Sequence, residues 1–220
     1  IYGLAYALTK VLMEDGDHIR IGSTFSKHLA QSMIETKETL CANIMNRAFN
    51  SSYTGGDGKE LIATDHPSVS GNQSNELTTA ADLAEASIED LLIQIMQSTD
   101  NRGLKFSNRA RRLIVPANLH FEANRIYGSA LQNDSANNAI NVLKATNVFP
   151  KGIKMNHYLT SATAWFIRTN CPDGLVFWWR DRPQFDQDND FDTKNAKAAS
   201  YMRFSVGCTD PRGIFGSNGP

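Results

Sequence analysis

The chain has 220 residues, 22 Lys and Arg against 23 Asp and Glu, a formal charge of -1, and 41% hydrophobic residues. That length and apolar content suit one large domain or two small ones with a sizeable core. Near-neutrality excludes a global field that would draw the chain to nucleic acid or an anionic membrane, so any such contact has to be local.

The chain opens on Ile1, with no basic leader and no apolar signal core behind it, which reads as a processed chain or the ordered part of a longer one. Residues 23–50 place Phe25, Leu29, Met33, Leu40, Ile44 and Ala48 on one side, with Gln31, Glu35, Glu38 and Asn46 elsewhere. This is the pattern of one long amphipathic helix, a strut of roughly 35 to 40 Å. Residues 50–73 change character: S-S-Y-T-G-G-D-G-K-E and T-D-H-P-S-V-S-G-N-Q predict a long surface excursion with tight turns. A second helix is predicted from Ser87, capped by its hydroxyl and burying Ile88, Leu91, Leu92, Ile95 and Met96, and it stops before T-D-N-R-G.

Arg112 to Val115 reads as a short buried strand, and Pro116 suits the first turn of a helix that carries Leu119, Ala123, Ile126 and Tyr127 inward, which implies an α/β layer. Residues 128–147 are small and polar, a loop with a short helical piece. Residues 164–168 and 175–180 are predicted strands joined by C-P-D-G, a β-turn that would pair them as a hairpin. Residues 199–208 alternate Met202, Phe204, Val206 and Cys208 with Tyr201, Arg203, Ser205 and Gly207, the clearest strand of the chain.

The longest apolar runs, Leu175 to Trp179 and Leu91 to Met96, fall far short of the ~20 residues that span a bilayer, so a soluble protein without membrane contact is expected. Cys41, Cys171 and Cys208 are widely spaced and form no C-x-x-C pair, which fits reduced thiols in a cytosol rather than a disulfide framework or a zinc site. The serine-hydrolase elbow, the Walker loop and the dinucleotide fingerprint are absent. G-G-D-G-K-E at 55–60 lacks both the hydroxyl after its lysine and a preceding apolar strand, so it reads as a flexible loop. The five histidines share no metal-ligand spacing; His66, between Asp65 and Pro67, is the most suggestive of them.

Arg102, Lys105, Arg109, Arg111 and Arg112 cluster with only Phe106 interleaved, which fits a solvated loop or ion pairs to a neighbouring subunit better than a nucleic-acid footprint. F-D-Q-D-N-D-F-D-T at 185–193 places acids at the first, third and fifth positions of a calcium loop. It has Phe191 where that loop requires glycine and Lys197 where it requires glutamate. A strand, a turn near Asn189 and a second strand are predicted instead.

In order, Y-A-L-T-K, the long helix with Q-S-M-I-E-T-K-E-T-L-C-A-N-I-M-N-R-A-F, A-T-D-H-P, L-T-T-A-A-D-L-A-E-A-S-I-E, R-R-L-I-V-P-A-N-L, and finally F-D-T with S-V-G-C-T-D-P-R-G-I-F-G span the whole chain. Together they resemble the major capsid (head) protein of tailed bacteriophages, in the branch with Mu-like head subunits and the Hong Kong 97-type fold. The resemblance implies an α+β fold with a long spine helix, a peripheral β-sheet domain and an α/β axial domain. Residues 1–22 would close the extended E-loop and connect it, 23–80 would be peripheral (spine helix and loop), 81–172 axial, and 173–220 peripheral again as C-terminal strands.

The implied function is structural. Copies would self-assemble into hexamers and pentamers of an icosahedral head, formed in the host bacterial cytoplasm and enclosing double-stranded DNA without sequence specificity. A portal and scaffold or decoration proteins would be further partners. No catalytic, cofactor-binding or metal residue is expected; Arg109, Arg111, Asp186, Asp188, Asp190 and Asp192 are the candidate inter-subunit contacts. The competing readings are an encapsulin-type compartment that holds protein, and an α/β hydrolase using His66 with a serine or the aspartates.

Overall fold

A computed structural model describes residues 1–132 and 139–219. In chain order its elements are strand β1 (Tyr2–Leu8), helix α1 (Lys10–Glu14), helix α2 (His18–Asn46), helix α3 (Glu85–Gln97), strand β2 (Ala110–Val115) and helix α4 (His120–Gly128). Helix α5 (Val142–Ala145) follows, then strands β3 (Ile153–Met155), β4 (Trp165–Thr169), β5 (Leu175–Asn189) and β6 (Ala196–Cys208), a 3-10 turn (Pro211–Gly213) and strand β7 (Ile214–Ser217). The chain divides into two compact units, Ile1–Cys41 with Phe177–Val206, and Ala42–Val176 with the residues from Gly207 on.

Helix α2, whose residues as far as Cys41 belong to the first unit, is the strut the apolar spacing predicts, about 43 Å long at 1.5 Å per residue for its 29 residues. It begins before residue 23, through Gly22, a residue that ordinarily weakens a helix interior. Here the bare backbone is used: a Cβ on Gly22 would lie 3.2 Å from Leu8 Cδ1, while Ser26 Oγ donates to the Gly22 carbonyl at 2.9 Å and meets the Tyr6 hydroxyl at 2.7 Å. Leu29 and Met33 are buried on the helix's inner face, and Ala198 and Met202 are buried on β6. The sheet order is β1-β6-β5, with β1 antiparallel to β6 from Tyr2 opposite Met202 to Leu8 opposite Ala196. Phe204 stands in an aromatic cluster, 5.1 Å from Phe177, 5.2 Å from Tyr2 and 5.6 Å from Trp179 between ring centroids, contacts that strengthen the sheet beyond simple burial.

The second unit holds a four-stranded sheet of order β3-β2-β4-β7. Strand β2 is parallel to β3 and antiparallel to β4, which is antiparallel to β7. One face carries Leu113, Val115, Trp165, Ile167 and Phe215 against Ile88, Leu91, Leu92 and Ile95 of α3. Each such fully buried aliphatic or aromatic side chain stabilises the fold by roughly 1.5 to 3 kcal/mol. The other face sets Ile114, Phe166 and Ile214 against Ala48 and Ile62, with Met45 and Phe49 alongside.

Four local expectations change. Strands β4 and β5 are not a hairpin: a turn with Asp173 at φ 57° does follow β4, but β4 pairs with β2 and β7, and β5 with β6. Pro116 lies ahead of α4, which begins at His120. Helix α3 starts at Glu85, and Ser87 reaches back from its first turn to accept the Ala84 N–H at 2.9 Å. The segment after α2 is partly interior, with Ile62, Ala63, His66 and Asn75 buried. The predicted short helical piece in 128–147 is α5; residues 133–138 lie outside the described residues.

Candidate assembly surface

The acidic stretch forms the tip of the β5–β6 hairpin, with the turn where the sequence puts it. Asp190 is used inside that turn. Its backbone N–H donates to the Asn195 carbonyl at 3.0 Å, its carbonyl accepts from Lys194 N–H at 2.9 Å, and its carboxylate accepts from Lys197 Nζ at 2.5 Å and from the Asp192 N–H at 3.2 Å. Hydrogen bonds from Lys197, Thr193 and the Asp192 N–H pull its pKa down to about 2. Lys194 takes a positive φ of 58° to close the turn and lays its ammonium 3.9 Å from the Phe191 ring centroid. Asp186, Asp188 and Asp192 are exposed, and among the described residues none of them is in an ion pair. Thus three of the four aspartates face outward and one holds the hairpin closed. Among the described residues no group of His, Cys, Asp and Glu gathers to hold a metal ion.

The basic cluster leads into β2. Arg109 and Arg111 are exposed, and Arg109 is fixed by its backbone, donating to Asn170 Oδ1 at 2.7 Å and accepting from Asn170 N–H at 3.0 Å. Arg112 is only partly exposed and stands opposite Arg168 across the β2–β4 pair. Arg168 and the nearby Lys154 of β3 carry no signal in the sequence, because their adjacency to Arg112 is created by pairing between distant strands. The first unit also presents an apolar groove of about 550 Å³, floored by Leu29, Met33 and Met202 and rimmed by half-exposed Ile34, Trp179 and Phe185.

His66 is buried and sits in a structural network. Its Nδ1 lies 2.6 Å from Asp57 Oδ2 and its Nε2 3.1 Å from Asn75 Oδ1. The Asn75 amide nitrogen donates to the carbonyls of Leu61 at 2.8 Å, Pro211 at 3.1 Å and Ile214 at 3.1 Å, and its oxygen also accepts the Ala63 N–H at 2.9 Å. The three carbonyls fix which end of the amide is oxygen. Burial works against the Asp57 carboxylate, yet hydrogen bonds from His66 and the Lys59 N–H leave its pKa below the usual range. Both ring nitrogens of His66 are engaged by Asp57 and Asn75, and among the described residues no serine hydroxyl bonds to either.

A second polar cluster lies around Asp210, which Arg212 grips with Nε at 2.8 Å and Nη2 at 2.6 Å from its carboxylate oxygens. Burial raises and the Arg212 hydrogen bonds lower the Asp210 pKa, with a net downward shift. Burial and the neighbouring carboxylate push the Cys171 thiol up to about 11, and burial does the same for Cys208. Such thiols are poor nucleophiles.

These surfaces comprise an apolar groove and charged tips on an α+β frame. The capsid of Myoviridae phage XM1 is similar with a TM-score of 0.55 at 12% identity, covering 100% of this chain and 72% of that one. Mycobacterium phage Che8 gives 0.53 at 10%, covering 98% and 69%, and a virus-like particle from Pyrococcus furiosus 0.52 at 12%, covering 98% and 75%. Likeness at such low identity is one of fold, the Hong Kong 97-type capsid fold. No curated protein matches the chain by sequence. The family described as phage capsid protein matches residues 1–216, and the chain belongs to that family. It is a structural protein of a self-assembling capsid.

Proposed function

We propose that the chain is the principal shell subunit of an icosahedral phage head, arranged as hexamers and pentamers around double-stranded DNA. The observation that carries this reading is the family match over residues 1–216. In this reading residues 1–22 close an extended loop, 23–80 and 173–220 form the peripheral domain with α2 as its spine, and 81–172 form the axial domain. The subunit catalyses no reaction, and its functional residues are many modest contacts. Arg109, Arg111, Asp186, Asp188 and Asp192 stand among these contacts, with Asp190 shaping the tip that presents the other acids. Assembly takes place in the host bacterial cytoplasm with a portal and scaffold or decoration proteins, and DNA is enclosed without sequence recognition.

The test is sedimentation of native material followed by electron microscopy. Very large particles with closed shells are expected; small oligomers under every assembly condition would refute the reading. A compartment that holds protein is separated by its content, since nuclease-protected double-stranded DNA inside the particles belongs to the phage head.

A further inference from the structure

Strand pairing in the second unit gathers three cations on one face of its sheet. Arg112 of β2 is opposite Arg168 of β4, and Ile114 of β2 is opposite Lys154 of β3. Residues opposite one another, and residues two apart along a strand, share a face, so Arg112, Arg168 and Lys154 project beside Ile114 and Phe166. Like charges placed this way repel. Among the described residues none of the three is in an ion pair. Arg168 and Lys154 are exposed, while Arg112 is partly buried and its Nε is fully buried without a hydrogen-bond partner among the described residues. A guanidinium partly withdrawn from water beside two further cations is costly by itself, and its accessible N–H groups become favourable against an anion with several acceptor oxygens.

We propose that this strip receives the acidic β5–β6 tip of a second copy of the chain, with Asp186 and Asp188 as the carboxylates that meet Arg112, Arg168 and Lys154. The inference rests on the reading of the chain as a shell subunit, in which every copy is surrounded by others. Charge complementarity selects the occupant: Asp186 and Asp188 are exposed and outside any ion pair, whereas Asp190 is committed to Lys197. Along an extended strand the two acids lie about 6.6 to 6.8 Å apart on one face. Long side chains rising from neighbouring strands about 4.5 to 5.5 Å apart can meet both. Nucleic acid is the weaker candidate, because three cations neutralise few phosphates and the chain as a whole carries a charge of -1.

Charge reversal tests the contact. Arg168→Glu and Asp188→Lys, both at exposed strand positions, should each raise the protein concentration needed for assembly about tenfold or more, and the two together should restore much of the loss. Thermal unfolding of the unassembled variants, expected to match wild type, separates contact from folding. In particles made from isotopically heavy and light chains, a carbodiimide should join Lys154 of one copy to Asp186 or Asp188 of another, giving heavy–light peptides. Shells that form from both single variants at wild-type concentration, without heavy–light cross-links, would overturn the proposal. So would an Arg168→Glu shell of normal stability that retains less DNA, since the occupant would then be a phosphate backbone. Wild-type chains that form no shell but still give the heavy–light peptide would overturn the shell reading and leave the contact standing.

Discussion

Asn75→Ala should be among the most damaging single changes in the second unit. Asn75 is 2% exposed; its two amide hydrogens are shared among three carbonyls and its oxygen accepts two bonds, tying Leu61, Ala63 and His66 to Pro211 and Ile214. At about 1 kcal/mol net for each of the two amide hydrogens and the two bonds at the oxygen, the direct loss approaches about 4 kcal/mol. Buried groups left without partners add to it, and water entering the space left by the amide subtracts. A loss of about 3 to 5 kcal/mol follows, a large part of the 5 to 15 kcal/mol typical of a whole domain. The assay is urea unfolding of unassembled subunits followed by tryptophan emission, to which Trp165, fully buried in this unit, contributes beside Trp178 and Trp179, with the m-value checked for constancy. Val69→Ala, on the same segment but 91% exposed, serves as control and should shift stability by less than about 0.5 kcal/mol. A loss below about 1 kcal/mol for Asn75→Ala would refute the idea that this amide fastens the segment to the sheet.

Three further outcomes are expected. Asp210→Asn should cost about 1.5 to 3 kcal/mol at neutral pH, the range for hydrogen bonds to charged groups. The Asp210 pKa is lowered in the fold, so its contribution is complete above the unfolded carboxylate value of about 3.9 and is lost as pH falls through the lower folded value. The gap between variant and wild type in unfolding experiments should therefore close on acidification below about pH 4. Gly174→Ala should destabilise by about 1 to 3 kcal/mol in thermal unfolding, because a Cβ there would lie 2.6 Å from the Gly213 Cα and backbone has little room to yield. Cys171 and Cys208, with thiols raised to about 11, should react with iodoacetamide at pH 8 roughly 100-fold or more slowly in the native subunit than in urea; native rates within tenfold of the denatured ones would contradict the burial assigned to them.

What the sequence makes legible follows the range of the interaction. Helix α2 shows itself because an apolar residue returns every three or four positions, and β6 because Met202, Phe204, Val206 and Cys208 alternate with Tyr201, Arg203, Ser205 and Gly207. The acidic tip is legible for the same local reason: a run of aspartates breaks the β pattern and turns it. The misread hairpin at 164–180 shows the limit. Its C-P-D-G turn is real, but a turn reports only a change of direction, and the partners of β4 are set by Leu113, Ile167 and Phe215 finding one core. His66 draws attention between Asp65 and Pro67, yet its role depends on Asn75, an ordinary residue in a polar loop whose bonds exist only once distant carbonyls have converged. The adjacency of Arg112, Arg168 and Lys154 is hidden for the same reason. Membership of the capsid family was recognisable from the order of short motifs along the chain, not from any one of them.

Strand β1 has a consequence for the timing of synthesis. Its whole hydrogen-bonding partner is β6, with Tyr2 opposite Met202. At ribosomal rates of 5 to 20 residues per second that partner emerges roughly 10 to 40 s later. During that interval the nascent chain carries an unmatched strand edge with Leu4 beside it, the kind of segment that pairs with a neighbouring polypeptide on the same polysome. Expression temperature and chaperone supply should thus decide the yield of usable subunits more than the stability of the finished fold does.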